Sequence, residues 1–153
     1  MTERIRILVV DDDESVRETF TAILEEKGYI VDTAESGKEA IEKSNKNFYN
    51  AAFIDIRLPD MEGTELLTAM KETTPKMRKI IVTGYPALQN AVEAVNKNAD
   101  AYILKPPKMR EVLSILKELL QKQKEEKRLS EEKVADFIQK RAKQIGEEKT
   151  KQP

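Results

Sequence analysis

The chain has 153 residues, of which 39% are hydrophobic and 36% charged, with a formal net charge of −1. This length predicts one globular domain, and the surplus of charge predicts a compact part joined to a strongly polar one. A near-neutral balance gives no general attraction to nucleic acid or to anionic membranes. With no Cys and no His, disulfides, thiolate sites and imidazole chemistry are excluded, so Asp, Glu, Lys, Ser, Thr and Tyr must carry any chemistry. No window approaches the roughly 18 apolar residues needed to span a bilayer. Met1-Thr2-Glu3-Arg4 leads straight into a predicted strand without room for a secretory signal. The expected location is cytoplasmic.

Five short β-branched or apolar runs are predicted as strands: Ile5–Val10, Ile30–Ala34, Ala51–Ile54, Lys79–Thr83 and Ala101–Leu104. Stretches with helical spacing separate them. Glu14–Lys27 carries Val16, Phe20, Ile23 and Leu24 on one face and stops at Gly28, a residue suited to ending a helix. Lys38–Lys46, Thr64–Lys71 and Ala87–Lys97 follow, the last with Leu88, Ala91, Val92 and Val95 in helical register. A fifth helix begins near Lys108 with Val112, Leu113, Leu116, Leu119 and Leu120. Strand and helix alternating five times predict an α/β fold with a parallel sheet covered on both faces. In such sheets ligands bind at the carboxyl ends of the strands.

The residues at those ends are Asp11-Asp12-Asp13, Asp55, Thr83 and Lys105. Asp13 is the predicted N-cap of the first helix. Asp11 and Asp12 form an oxygen-only cluster that would repel a bare phosphate and collect a cation, with Mg²⁺ as the natural choice. Asp55 closes a buried run, Ala-Ala-Phe-Ile, where a lone carboxylate is costly unless a metal compensates it. A free oxygen of such a carboxylate is a nucleophile. Thr83 and Lys105 add a hydroxyl and a fixed positive charge, which a transferring phosphoryl group needs.

These residues sit in four motifs: Leu8-Val9-Val10-Asp11-Asp12, Phe53-Ile54-Asp55-Ile56-Arg57-Leu58-Pro59-Asp60-Met61-Glu62-Gly63, Ile81-Val82-Thr83-Gly84 and Ala101-Tyr102-Ile103-Leu104-Lys105-Pro106. Together they resemble the receiver domains of two-component response regulators over about residues 4–120. The resemblance implies a flavodoxin-like sheet of order 2-1-3-4-5. It implies that Asp55 accepts phosphate from the phosphohistidine of a sensor histidine kinase or phosphotransfer protein. Mg²⁺ would be held by Asp12, Asp55 and the backbone carbonyl of Arg57, with Asp11 helping through water. Lys105 would contact the phosphate, its bond to Pro106 being cis, and Thr83 with Tyr102 would form the switch. Arg57 and Tyr85, two residues beyond Asp55 and Thr83, flank the route of an attacking water and are expected to slow hydrolysis. Such a chain is a self-phosphorylating switch rather than an enzyme. Pro107 departs from the family pattern, which usually has an aromatic or apolar residue there.

Rival readings are an Asp-nucleophile phosphatase, which would carry a second acid where Arg57 stands, and a flavodoxin-like nucleotide binder, which would need a Ser/Thr/Gly loop in place of Asp11–Asp13. A receiver-like interaction module is a third. Domain boundaries are expected at 1–120 for the receiver and 121–153 for a helical extension or truncated linker. Residues 122–153 hold ten Lys/Arg and seven Asp/Glu. The apolar seam of Leu113, Leu116 and Leu120 lapses at Gln123, Lys127 and Ser130, then revives at Val134, Phe137, Ile138, Ala142 and Ile145. Ser130 is a predicted N-cap for a second helix and Gly146 the start of a frayed end. A homodimer through the fifth helix and its extension is expected, and no direct binding of nucleic acid by this chain.

Overall fold

The structure, a computed structural model, describes residues 4–84 and 87–151. Each β-branched run forms a strand and each period-3.6 stretch a helix, in the order β1 (Arg6–Val10), α1 (Glu14–Glu26), β2 (Ile30–Ala34), α2 (Gly37–Lys46), β3 (Ala51–Asp55), α3 (Gly63–Ala69), β4 (Arg78–Thr83), α4 (Leu88–Asn96), β5 (Ala101–Leu104) and α5 (Met109–Lys151). The strands are all parallel, in the order β2-β1-β3-β4-β5. This is the flavodoxin-like arrangement. β3 and β4 are buried along their whole length, which explains their apolar stretches Ala51–Ile54 and Ile80–Val82.

Side-chain alternation divides the core into two layers. Leu8, Val10, Ala52, Ile54 and Ile81 meet Ala40, Leu66, Leu67 and Ala94 from α2, α3 and α4 on one face. Ile7, Val9, Phe53, Ile80 and Val82 meet Phe20 and Leu24 of α1 and Val112, Leu116 and Leu119 of α5 on the other. Phe20 and Phe53 rings lie 5.2 Å apart at 56°, a tilted arrangement that aromatic quadrupoles favour. Asp13 caps α1, its side chain accepting from the backbone N–H groups of Ser15 and Val16. Beyond the helix, Gly28 takes φ +89°, the left-handed conformation that closes a helix at little cost only for glycine. Among the described side chains of α4 only Ala94 turns fully inward, while Val92 and Val95 are 49% and 71% exposed. Those two valines are therefore not buried as their spacing suggested.

The largest departure from expectation lies in α5, which runs unbroken for 43 residues. Ser130 is an exposed residue inside it rather than an N-cap, and Gly146 lies within the helix. Nor is the Leu113, Leu116 and Leu120 seam available to a second chain. Leu116 is fully buried in the domain's own core, with Leu113 and Leu120 packed against the same cluster. Gln123, expected to break the seam, is 3% exposed. Its amide N–H₂ donates to the carbonyls of Asn50 (2.9 Å) and Lys76 (2.8 Å), and its carbonyl accepts from Asn50 Nδ2 at 3.0 Å. One helical turn on, Glu126 pairs with Arg78 at 2.7 Å, and Arg78 also meets Asp100. A Gln whose every polar atom is matched behaves as core. Beyond Lys127, no described residue of α5 is buried by the domain.

Gln123→Ala removes these bonds and leaves the Lys76 carbonyl and the Asn50 amide, both part-buried, without them. A loss of about 1–3 kcal/mol in stability is expected, read by urea denaturation. Unchanged stability would show that the clamp contributes nothing.

Candidate functional site

The first strand's end and the third strand's end are neighbours because β1 pairs directly with β3. That adjacency puts Asp11, one residue past β1, beside Asp55, the last residue of β3. One carboxylate oxygen from each of Asp11, Asp12 and Asp55 lies within 4.8 Å of the others. Asp11 and Asp55 are 3% and 7% exposed, whereas Asp12 faces solvent. Such crowding of like charges is tolerable only with compensation, and part of that compensation is local. One oxygen of Asp11 accepts from the Asp13 backbone N–H at 2.9 Å, and the other accepts from Lys105 Nζ at 2.7 Å. Lys105 Nζ also reaches Asp55 Oδ2 at 3.3 Å.

The electrostatics follow from this geometry. Burial pushes the Asp55 carboxyl above the usual range, against the pull of the Lys105 charge, while the nearby Asp11 charge pushes the same way as burial. For Lys105 burial acts downward, but the bonds and charges of Asp11 and Asp55 prevail and hold the ammonium above its ordinary value. Both effects describe a pocket in which negative charge is in excess. The donors are all hard oxygens: three carboxylates of which Asp12, exposed, has no hydrogen-bond partner among the described residues. That set fits a hard divalent cation.

The loop after β3 is shaped for the same place. The N–H of Arg57 bonds to the Asp55 carboxylate, and Arg57 forms an isolated bridge with Glu62 that folds the loop back. At Gly63 a side chain is impossible, since a Cβ would stand 2.1 Å from the Asp55 carbonyl oxygen. Thr83 ends β4 fully buried, and its carbonyl accepts the Lys105 N–H at 2.7 Å. Tyr102, opposite Ile81 in the β4–β5 register, packs half-buried against the core. Its buried hydroxyl has no hydrogen-bond partner among the described residues, and burial raises its pKa. The Lys105–Pro106 peptide is cis. Arg57 is exposed. Tyr85 lies outside the described residues.

The structure thus gathers Asp11, Asp12, Asp55 and Lys105 into one pocket, with Thr83 at the end of the adjoining strand. Two supporting residues carried no sequence signal that singled them out. Arg17, on α1, donates to the Asp11 carbonyl at 2.8 Å and pairs with Glu35. Asp60, read as a turn residue, accepts from the backbone N–H groups of Gly37 (2.9 Å) and Lys38 (2.8 Å), so it caps α2 from the loop that follows β3.

Comparison with known proteins points one way. The family described as response regulator receiver domain matches residues 7–117. Among curated proteins, the alginate biosynthesis transcriptional regulatory protein AlgB of Pseudomonas syringae pv. tomato is 38% identical over 101 residues, covering 66% of this chain and 22% of that protein. The chain therefore matches under a quarter of that relative's length. Among solved structures, a CheY-like response regulator receiver domain protein from Methanospirillum hungatei is 46% identical, with a TM-score of 0.77 over 81% of this chain and 99% of that one. A response regulator protein from Burkholderia pseudomallei, with a phosphorylated aspartic acid, calcium ion and citrate, is 28% identical, with a TM-score of 0.67 over 82% and 74%.

Because burial disfavours its charged form, Asp55 destabilises the fold whenever it is ionised. The cost is absent below the ordinary carboxylate pKa and complete once pH has risen through the raised value. In metal-free buffer, Asp55→Asn is expected to be more stable than wild type at pH 7, with the gain shrinking as pH falls through the raised value and gone below about 4. Urea titrations across this range test it. A gain that stayed constant with pH would contradict the assignment.

Proposed function

Since this chain belongs to the response regulator receiver domain family, we propose that it is a two-component switch whose phosphoacceptor is Asp55. The observation that carries the reading is the convergence of Asp11, Asp12 and Asp55 on one point, with Lys105 Nζ between two of them. The donor is the phosphohistidine of a sensor histidine kinase or of a phosphotransfer protein. A carboxylate oxygen of Asp55 attacks the phosphorus as the P–N bond breaks. The electron pair stays on the donor's imidazole nitrogen, which takes a proton from solvent.

Asp11, Asp12, Asp55 and the Arg57 carbonyl would hold Mg²⁺, with Asp11 acting through water. Mg²⁺ supplies neutralisation of the charge on the transferring phosphoryl oxygens. Lys105 already spans two carboxylates, and its ammonium is placed to follow negative charge from the carboxylate to the new phosphoryl group. The hydroxyl of Thr83 then turns to a phosphoryl oxygen, and the ring of Tyr102 moves inward behind it. A half-buried ring whose hydroxyl has no partner among the described residues supports that role. The exposed Val92, Val95 and Leu104 of α4 and β5 offer the surface on which a partner or output domain reads the change. In this reading residues 1–120 are the receiver and 121–153 its helical extension, acting in the cytoplasm.

Incubation with acetyl phosphate is the direct test. Wild type is expected to gain one phosphoryl mass when Mg²⁺ is present and not when it is chelated, and Asp55→Ala is expected to gain none. A mass gain in that variant would refute Asp55 as acceptor.

The reverse step is attack of water on phosphorus, returning the Asp55 carboxylate and releasing phosphate. In this reading Arg57 and Tyr85, two residues beyond Asp55 and Thr83 in sequence, would hinder that water. Replacing both with Ala is expected to shorten the phosphorylated lifetime several-fold, followed by loss of the added mass after the phosphodonor is removed. A lifetime as long as wild type would remove both residues from this role.

A further inference from the structure

The last part of α5 carries an apolar face that none of the described residues covers. Val134, Phe137, Ile138 and Ile145 are 56%, 70%, 59% and 42% exposed. They recur at helical spacing along one side of the helix, with Ala142 between them. The face cannot fold back on the receiver, because α5 is continuous from Met109 to Lys151 and so has no turn at which to reverse. At a rise of about 1.5 Å per residue, the stretch beyond Lys127 extends about 36 Å from the domain.

The charges along this stretch say what covers it. Glu131 and Glu132 precede the apolar residues, and Lys140, Arg141 and Lys143 follow their centre. Most acids here are neutralised within the helix: Glu125 and Glu132 by Arg128, and Asp136 by Lys140. Glu131 and Arg141 are the exceptions on the apolar face, since neither has an ion-pair partner among the described residues. They stand on the same side as Val134 and Ile138, three positions to either side of that pair. A sequence of acid, apolar, apolar, base is complementary to its own reverse.

We infer that this face pairs antiparallel with the same face of a second copy of the chain, centred near residue 136. In that register Val134 of each copy meets Ile138 of the other, and Phe137 packs across the centre. Glu131 then meets Arg141, and Glu132 meets Lys140, at both ends. Parallel pairing in register would set Glu131 against Glu131 and Arg141 against Arg141, which like-charge repulsion disfavours. The seam spans about three turns, at the small end of specific interfaces, so the association is weak and concentration-dependent. At the domain end it runs into an open cleft between α5 and the sheet, lined by Lys124 and Lys127, where the second helix has room. The inference uses no property of the phosphoryl site and stands or fails apart from it.

The 153-residue chain serves for the test, and its lack of Cys makes disulfide mapping unambiguous. In sedimentation equilibrium the mass is expected to rise with concentration from 17.5 kDa toward twice that value. The combined Val134→Glu and Ile138→Glu variant is expected to stay at the monomer mass with unchanged helicity. Lys127→Cys and Ile145→Cys lie about five full turns apart on one face and stand opposite each other across the antiparallel seam, so a chain carrying both is expected to oxidise to a covalent dimer. Either substitution alone is expected not to, because its two thiols would lie about 27 Å apart, beyond disulfide reach. Monomer at every concentration, or covalent dimers from each single variant, would overturn the inference. Binding of an unrelated protein to the face with no self-association would overturn it equally.

Discussion

Two carboxylates at the ends of adjacent buried strands repel one another, and a single ammonium holds them together. Lys105 Nζ, 2.7 Å from Asp11 and 3.3 Å from Asp55, is that group, and much of the fold serves to bring it there. β5 must lie beside β4, and β4 beside β3, for a residue just past β5 to reach acids on β1 and β3. The contact still leaves the pocket negative. Asp12 is outside the ion pair, and the Asp55 carboxyl remains pushed up by burial. A site fully neutralised by its own lysine would have little use for a cation, and one without the lysine would be hard to fold. The arrangement lies between these limits, which is the balance that the proposed metal and phosphoryl site requires.

The supporting contacts extend this logic outward. Arg17 holds the carbonyl of Asp11, Asp13 serves both as the α1 cap and as a donor to the Asp11 carboxylate, and Asp60 anchors the loop after β3 to the start of α2. Each fixes backbone rather than presenting chemistry. The close approach at Gly63 belongs to the same set, because the loop can double back past the Asp55 carbonyl only where no Cβ intervenes.

How much of this was legible in the sequence depended on whether the signal was local. Strands buried on both faces declare themselves as apolar runs, so the order of elements and the positions of Asp11, Asp12, Asp55 and Lys105 at strand ends could be read directly. Gln123 could not. A polar residue in a heptad reads as a break, and only the neighbouring starts of β3 and β4, with carbonyls of Asn50 and Lys76 needing donors, turn it into core. The Leu113, Leu116 and Leu120 seam failed for the complementary reason: an amphipathic face looks the same whether its own sheet or a second helix will cover it. Val92 and Val95 show the same ambiguity at α4, where apolar residues at helical spacing end up facing out.

The two ends of the sheet therefore carry different kinds of polar order. At the carboxyl ends, charge is concentrated and incompletely balanced. At the amino ends, the Gln123 amide joins the residues that precede β3 and β4 with each of its own polar atoms matched, and Arg78 ties Glu126 to Asp100. A relative shift of β3 and β4 cannot preserve both Gln123 bonds, since the two carbonyls belong to different strands' entry segments while their donor is one rigid amide. The direction of the long helix is thus set by the register of the two strands that also end in Asp55 and Thr83. Geometry at the acidic pocket and the direction of the projecting helix are fixed by the same pair of strands, without any contact between the pocket and the projecting segment.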